Sequence, residues 1–210
     1  MDLILWRHAD AAEGGRDLER KLTAKGRKQA VRMAAWLVAR LPSRYAVLAS
    51  PARRARETAD ALGVRYKIAE RLAPGAAPAD ILEAAGWPAH KGAVIVVGHQ
   101  PDLGRVAAFL VSGTEADWTL KKGGLWWLTN RVRDDEAQVV VRAVIAPELP
   151  DRAHASDGES AYRCRARAGS EDCGGSQMKL RHSKNYIDQA SAGLYSHLLT
   201  ESRASAGVSF

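Results

Sequence analysis

Two histidines and two arginines stand where a chain can bring them together. The first segment is Leu5-Trp6-Arg7-His8-Ala9-Asp10, the second is Ala49-Ser50-Pro51-Ala52-Arg53-Arg54-Ala55, and the third is Val97-Gly98-His99-Gln100-Pro101. Each follows a short apolar run. Neutral imidazole is a competent nucleophile in neutral water, because its ordinary pKa is about 6.5. Guanidinium groups are permanently charged forks that match the oxygens of anions. A single His or Arg at a strand end is more often structural than catalytic. Their joint occurrence after three separate runs points to a shared site for an anionic group.

These segments need elements to hold them. Leu3 to Trp6 and Ala46 to Ala49 suit buried strands. Ala93 to Val97 is continuous, rich in β-branched residues and flanked by Gly92 and Gly98, which suits a strand buried on both faces. Val64 to Ile68 reads as a third strand in chain order. Leu125 to Thr129 and Val139 to Ile145 read as two more, around the turn-prone Arg-Asp-Asp-Glu segment. Thr23 is placed to cap a helix reaching about Arg40, along which Ala30, Ala34, Leu37, Val38 and Leu41 recur at helical spacing. Pro51 opens a helix that ends near Leu62-Gly63. A Pro/Ala/Gly-rich loop from Ala73 to Pro78 precedes a short helix over Ala79 to Ala85. Pro101 starts a helix with Leu103, Val106, Ala107 and Leu110 on one face. The alternation predicts an α/β fold of three layers, a mainly parallel central sheet with helices on both faces. Such sheets bind ligands outside the carboxyl ends of their strands, where all three segments fall.

The 210 residues suffice for one core with chain to spare. A hydrophobic content of 46% and a charged content of 26% are those of an ordinary globular protein. No apolar run approaches the roughly 20 residues of a membrane span, and the first residues show neither a basic n-region nor a long apolar core, so a cytoplasmic location is expected. The net charge of +7 is spread over scattered Lys and Arg without a long basic block, so no nucleic-acid partner and no membrane contact are expected. Near Pro150 the pattern changes. Residues 1–150 form the expected domain. Residues 151–210 are rich in Ala, Ser, Gly and Arg and poor in large aliphatics, and read as a low-complexity, disordered tail in which Asn185 to Leu199 offers only a thin helical face. Both cysteines, Cys164 and Cys173, lie there with His154, His182 and His197, at spacings that fit no compact zinc site. Arg163, Arg165 and Arg167 read as solvated.

The motifs resemble those of the histidine phosphatase superfamily, the phosphoglycerate mutase-like fold. The Arg-His-Gly hallmark is matched by Arg7-His8-Ala9, Ser-Pro-x-x-Arg-Ala by Ser50 to Ala55 followed by Glu57-Thr58, and the late Gly-His by Gly98-His99. Arg20-Lys21-Leu22-Thr23-Ala24-Lys25-Gly26 is similar to the Arg-Pro-Leu-Thr-x-x-Gly of the small SixA-type phosphohistidine phosphatases. The resemblance runs from Asp2 to about Leu149. It implies His8 as nucleophile through a phosphohistidine intermediate, and Arg7, Arg54 and His99 as catalytic and phosphate-binding groups. It implies neither metal nor cofactor. Arg20 is a further candidate phosphate contact, weighed against a surface ion pair. Ala9 replaces the usual Gly, and Lys21 the usual Pro.

The proton donor is less well marked. Glu70 is the candidate catalytic acid, with a solvated loop carboxylate as the rival reading; Asp10 is a second candidate, with backbone capping as its rival. A phosphomonoester expels an alkoxide and benefits strongly from an acid, whereas phosphohistidine expels imidazole. A site with a weak or absent acid therefore suits phosphohistidine on a protein, and the short domain should leave the pocket open to a protein surface. The alternatives are a small phosphate ester as substrate, a catalytically silent phosphoprotein-binding module, and a basic nucleic-acid binder. Of the remaining residues, Trp126 and Trp127 are adjacent, so one should face the core and the other solvent or an interface, and His90 should be exposed.

Overall fold

A computed structural model of the chain describes residues 1–133 and 136–149. The expected tail, with its cysteines, three histidines and thin helix, lies outside the described residues. Within them the order is β1 (Asp2–Arg7), α1 (Ala24–Val38), β2 (Tyr45–Ala49), α2 (Arg53–Asp60), β3 (Lys67–Ile68), α3 (Pro78–Ala85), β4 (Ala93–Gly98), α4 (Asp102–Ser112), β5 (Leu125–Arg133) and β6 (Glu136–Ile145). Short 3-10 turns cover Asp17–Glu19 and Glu70–Leu72.

The sheet order is β3-β2-β4-β1-β5-β6. The first four strands run parallel, and β5 and β6 are antiparallel additions on the β1 side. All six residues of β4 are buried, as its unbroken apolar run predicts. The two-residue alternation of a strand splits the core cleanly. Ile4 and Trp6 of β1, with Ile95 and Val97 of β4, face Met33, Leu37, Ala55 and Ala59 of α1 and α2. Leu3 and Leu5, with Val94 and Val96, face Ile81, Leu103, Val106 and Leu110 of α3 and α4. Truncating any of these large aliphatic side chains to Ala should cost about 2–5 kcal/mol. Trp127 joins the first core, and Trp126 is not left to solvent as expected but packs on the second core beside Trp118, ring centroids 5.4 Å apart, because the sheet is covered on both faces.

Several expectations need correction. The strand read over Val64 to Ile68 shrinks to Lys67–Ile68, both exposed at the sheet edge, because it pairs only with the last two residues of β2. Helix α1 stops at Val38, which is exposed rather than part of the apolar face; Met33 takes that place. Helix α2 begins at Arg53, not Pro51. His90 is half-buried rather than exposed, with its Nδ1 unpaired. Thr23 does cap α1, its side chain accepting from the Gly26 amide at 2.9 Å. Gly26 is needed at that turn, since a Cβ would overlap the carbonyl oxygen of Asp10.

Candidate active site

Of the six buried polar or charged residues among those described, five gather at one place: His8, Ser50, Arg54, Thr58 and His99. Strands β2, β4 and β1 are neighbours running parallel, so their carboxyl ends deliver Ser50, His99 and His8 side by side. The ladder continues one residue past the strands: the amide of Ser50 donates to the carbonyl of Val97, and that of His8 to Gly98, each at 3.0 Å. On the other side the amide of Gly123 donates to the His8 carbonyl at 3.0 Å. The His8 backbone is thus fixed from both neighbours.

His8 Nδ1 lies 2.8 Å from the carbonyl oxygen of Ala9. A carbonyl only accepts, so in the neutral ring Nδ1 carries the proton and Nε2 keeps its lone pair. Arg54 Nε donates toward that Nε2 at 3.3 Å. Arg54 Nη2 lies 3.4 Å from His99 Nδ1, and His99 Nε2 lies 2.7 Å from Ser50 Oγ. An arginine only donates, so His99 Nδ1 is the acceptor and its Nε2 donates to the serine. The two imidazole rings are 5.2 Å apart and tilted by 54°. Burial above all holds both neutral. It lowers His8 to about 4, assisted by Arg54 and Arg7 against the opposing pull of the Ala9 carbonyl. It lowers His99 to about 3, assisted by the charges of His8 and Arg54.

Further groups hold this constellation. Thr58 Oγ1 accepts from the Ala9 amide at 3.0 Å and donates to the Arg54 carbonyl at 2.7 Å, tying the His8 loop to α2. Arg7 Nη1 donates to the carbonyl of Leu120, and its buried Nε has no partner. Gln100 braces the segment that receives Arg7: its Oε1 accepts from the Leu120 amide at 3.3 Å and its Nε2 donates to the Trp118 carbonyl at 2.6 Å. The arrangement offers two unprotonated ring nitrogens, His8 Nε2 and His99 Nδ1, both facing Arg54, with Arg7 directly before His8 at the end of β1. Such a pocket can take a phosphoryl group and stabilise its charge.

The histidine phosphatase superfamily (branch 1) profile matches residues 3–74, which include Arg7, His8 and Arg54. An uncharacterised protein of Mycobacterium tuberculosis is 40% identical over 117 residues, covering 52% of this chain and 73% of its own length. Another from Picosynechococcus is 35% identical over 137 residues, covering 60% and 82%. The chain belongs to the histidine phosphatase superfamily. A solved structure assigned as phosphohistidine phosphatase SixA from Nakamurella multipartitia is 27% identical, with a TM-score of 0.58 over 70% of this chain and 95% of that one. The protein histidine phosphatase SixA complexed with tungstate shares the fold at 24% identity and the same TM-score, over 70% and 97%. A phosphoserine phosphatase of Entamoeba histolytica shares the fold at 15% identity and a TM-score of 0.52, over 70% and 98%.

In this histidine phosphatase, Arg7, His8, Arg54 and His99 come together. Glu70 does not join them: it is exposed at the start of its 3-10 turn, and no hydrogen bond or ion pair connects it to the pocket. Asp10 is pinned by Lys122 Nζ at 2.7 Å and Thr23 Oγ1 at 2.8 Å, and these bonds hold its pKa below the usual carboxylate range. Arg20 meets Asp17 Oδ1 at 3.2 Å, and its charge adds a smaller contribution to the lowering of the His8 pKa. Ser50 and Thr58 stood in the matched motif without a role. Thr58 is one helical turn beyond Arg54, which is the spacing that brings its hydroxyl to the Arg54 carbonyl. Gln100 stands next to His99, but its bracing depends on a contact about twenty residues ahead. Asp17 carries no periodic or motif signal. No group of three or more His, Cys, Asp or Glu side chains suited to a metal occurs among the described residues, and no described helix is long and apolar enough to cross a membrane.

Proposed function

We propose that the protein removes phosphoryl groups from phosphohistidine on a protein, through a phosphohistidine intermediate at His8. The observation that carries this reading is the Nδ1–Ala9 hydrogen bond, which leaves Nε2 as the unprotonated nitrogen of His8, facing Arg54. In the first step Nε2 attacks phosphorus, the P–N bond to the substrate imidazole breaks, and that ring leaves neutral when its distal nitrogen already carries a proton. In the second step water attacks phosphorus, the P–Nε2 bond breaks, and phosphate departs. Arg7 and Arg54 hold the phosphoryl oxygens throughout, and His99 joins them once the bound dianion has drawn a proton onto its Nδ1. The substrate class is supported by the state of the nearby carboxylates. Asp10 and Asp17 are both bound to cations that keep them ionised, and Glu70 is outside the pocket's hydrogen bonds. A leaving imidazole does without the acid that an alkoxide needs.

The test is a substrate panel containing a phosphohistidine-bearing protein and sugar phosphates, run on wild type and His8→Ala. The expected result is turnover of the phosphohistidine protein with an acid-labile label on the wild-type enzyme, both absent from His8→Ala. Turnover of sugar phosphates alone would replace this substrate class by small phosphate esters. Tight binding of the phosphoprotein without label or turnover would make the protein a binding module.

A further inference from the structure

The guanidinium of Arg54 presents two edges, and both are occupied. Its side edge, formed by Nε and Nη2, faces His8 Nε2 at 3.3 Å and His99 Nδ1 at 3.4 Å. Its end edge, formed by Nη1 and Nη2, donates to the backbone carbonyl of Asp17 at 2.5 Å and to Asp17 Oδ2 at 2.9 Å. Asp17 is itself anchored. Its Oδ1 accepts from Arg20 Nη1 at 3.2 Å, and Arg20 Nε donates to the Ala12 carbonyl at 2.7 Å. The surrounding loop is stitched at its base by the Ala12 amide on the Lys21 carbonyl and by an antiparallel bridge between Ala11 and Leu22. One half-exposed carboxylate therefore links an almost fully buried arginine to an arginine tied to the backbone.

We propose that Asp17 is a positioning residue of this site: it grips the end edge of Arg54 so that the side edge presents two N–H donors to a phosphoryl group between His8 and His99, and Arg20 acts through it. The proposal adds to the His8 chemistry above and rests on it. A carboxylate on an anion-binding arginine could instead act as a plug that substrate must displace. The edges distinguish the two roles. A plug would take the side edge, where the histidine nitrogens converge, whereas Asp17 takes the end edge and leaves the side edge to the pocket. A planar fork held at one edge has its other edge aimed, and aim is what phosphoryl transfer demands. Of the two readings of Arg20, phosphate contact or surface ion pair, the arrangement gives the ion pair, with Arg20 on a backbone carbonyl and the Asp17 carboxylate.

The test uses the full chain with two readouts: turnover of a phosphohistidine-bearing protein, and calorimetric binding of tungstate, which needs no turnover. Asp17→Ala should lower kcat by roughly 10- to 100-fold, the range expected when a catalytic group is misplaced by about an ångström. It should also weaken tungstate binding. Asp17→Asn keeps an oxygen for the arginine fork and should recover most of the lost kcat, while Arg20→Ala should show a smaller loss in the same direction. In an Arg54→Lys background, which has no fork to aim, Asp17→Ala should cost no more than about twofold, because coupled residues are non-additive. Thermal midpoints within a few degrees of wild type would show that the variants fold. Tighter tungstate binding with unchanged or higher kcat in Asp17→Ala would overturn the proposal in favour of a plug. A full additional loss in the Arg54→Lys background would overturn it as well. Weaker tungstate binding by Asp17→Ala in a protein that turns over no phosphohistidine would keep the proposal and remove the substrate reading.

Discussion

At the pocket floor, His8, Ser50, Arg54, Thr58 and His99 are each less than a tenth exposed, and their backbones continue the sheet ladder or the first turns of α2. At the rim, the Asp17 side chain is 53% exposed and that of Arg20 28%, and both sit on a loop whose tip contains Gly14 and Gly15 at positive φ. The floor is positioned by covalent connection to three parallel strands. The rim is positioned by ion pairs reaching across to it. Buried, charge-assisted contacts are strong because water does not compete for them, whereas exposed pairs are weak and screened by salt. The floor should therefore set whether chemistry occurs, and the rim how well it is aimed.

The most severe way to break this comparison is Arg54, which belongs to both regions. Arg54→Ala removes the donor shared by His8 and His99 together with the anchor of Asp17. Its kcat should fall by about 10²–10³-fold, the usual cost of losing a preorganised donor at developing charge. Arg54→Lys keeps the charge but has no fork, and should recover only a small part of that loss. Full activity in Arg54→Lys would show that charge alone matters at the floor and that edge geometry does not.

The same contrast decides what the sequence could tell. The floor was legible because it depends on local regularities. Apolar runs place strand ends, and Arg7-His8, Ser50 to Arg54 and Gly98-His99 follow those ends directly. Burial of β4 on both faces was written in its continuous β-branched run. The rim was not legible, since it depends on where a loop folds back. Asp17 meets Arg54 across 37 positions with no pattern to announce it. The edge of the sheet was misread for a related reason. Val64 to Ile68 has strand composition, but only Lys67 and Ile68 find a partner on β2, so pairing rather than propensity set the length of β3. The expectation of a mainly parallel sheet holds for four strands, and β5 and β6 close its other side in the opposite sense. Their hairpin was legible in the turn-prone segment between them, but the antiparallel docking of β5 on β1 is a long-range pairing that composition does not show.

A gentler probe of the floor is pH. In the folded protein His8 titrates at about 4 and His99 at about 3, both below the unfolded value of about 6.5. Between these limits the unfolded chain binds protons that the folded chain refuses, so stability falls as pH drops through about 6.5 toward 4 and levels off once both rings are protonated. The rim carboxylate Asp17 has the opposite charge type but acts in the same direction lower down: its folded pKa is depressed, chiefly by its bond to Arg54, so its contribution disappears as pH falls below about 4. Urea midpoints measured at pH 8, 6 and 5 should therefore decline, and the decline should be smaller in a His8→Asn/His99→Asn double variant. Saturating tungstate should also reduce it, because a bound dianion favours protonated imidazole. Equal slopes in wild type and double variant would mean that the buried histidines do not control the acid response.

The smallest effect is expected at Glu70, and it bears directly on the substrate. Glu70 stands at the carboxyl edge of the sheet, as an acid should, but it is exposed and bonded to none of the pocket residues. Its neighbour Arg71 pairs with Glu83 of α3, so the local ion pair leads away from His8. Substituting a solvated carboxylate that contacts nothing usually changes stability by less than about 0.5 kcal/mol. Glu70→Ala should leave phosphohistidine turnover within about twofold of wild type, since general acid catalysis is typically worth about 10²–10⁴-fold where it operates. The same variant assayed on a phosphate ester sharpens the point. If Glu70→Ala removed ester turnover while sparing phosphohistidine, loop closure over an ester would have to bring Glu70 to the leaving oxygen, and the rim would then supply chemistry as well as aim. If both activities persist, the floor acts without a carboxylic acid from this side, and the leaving group must be one that departs without it.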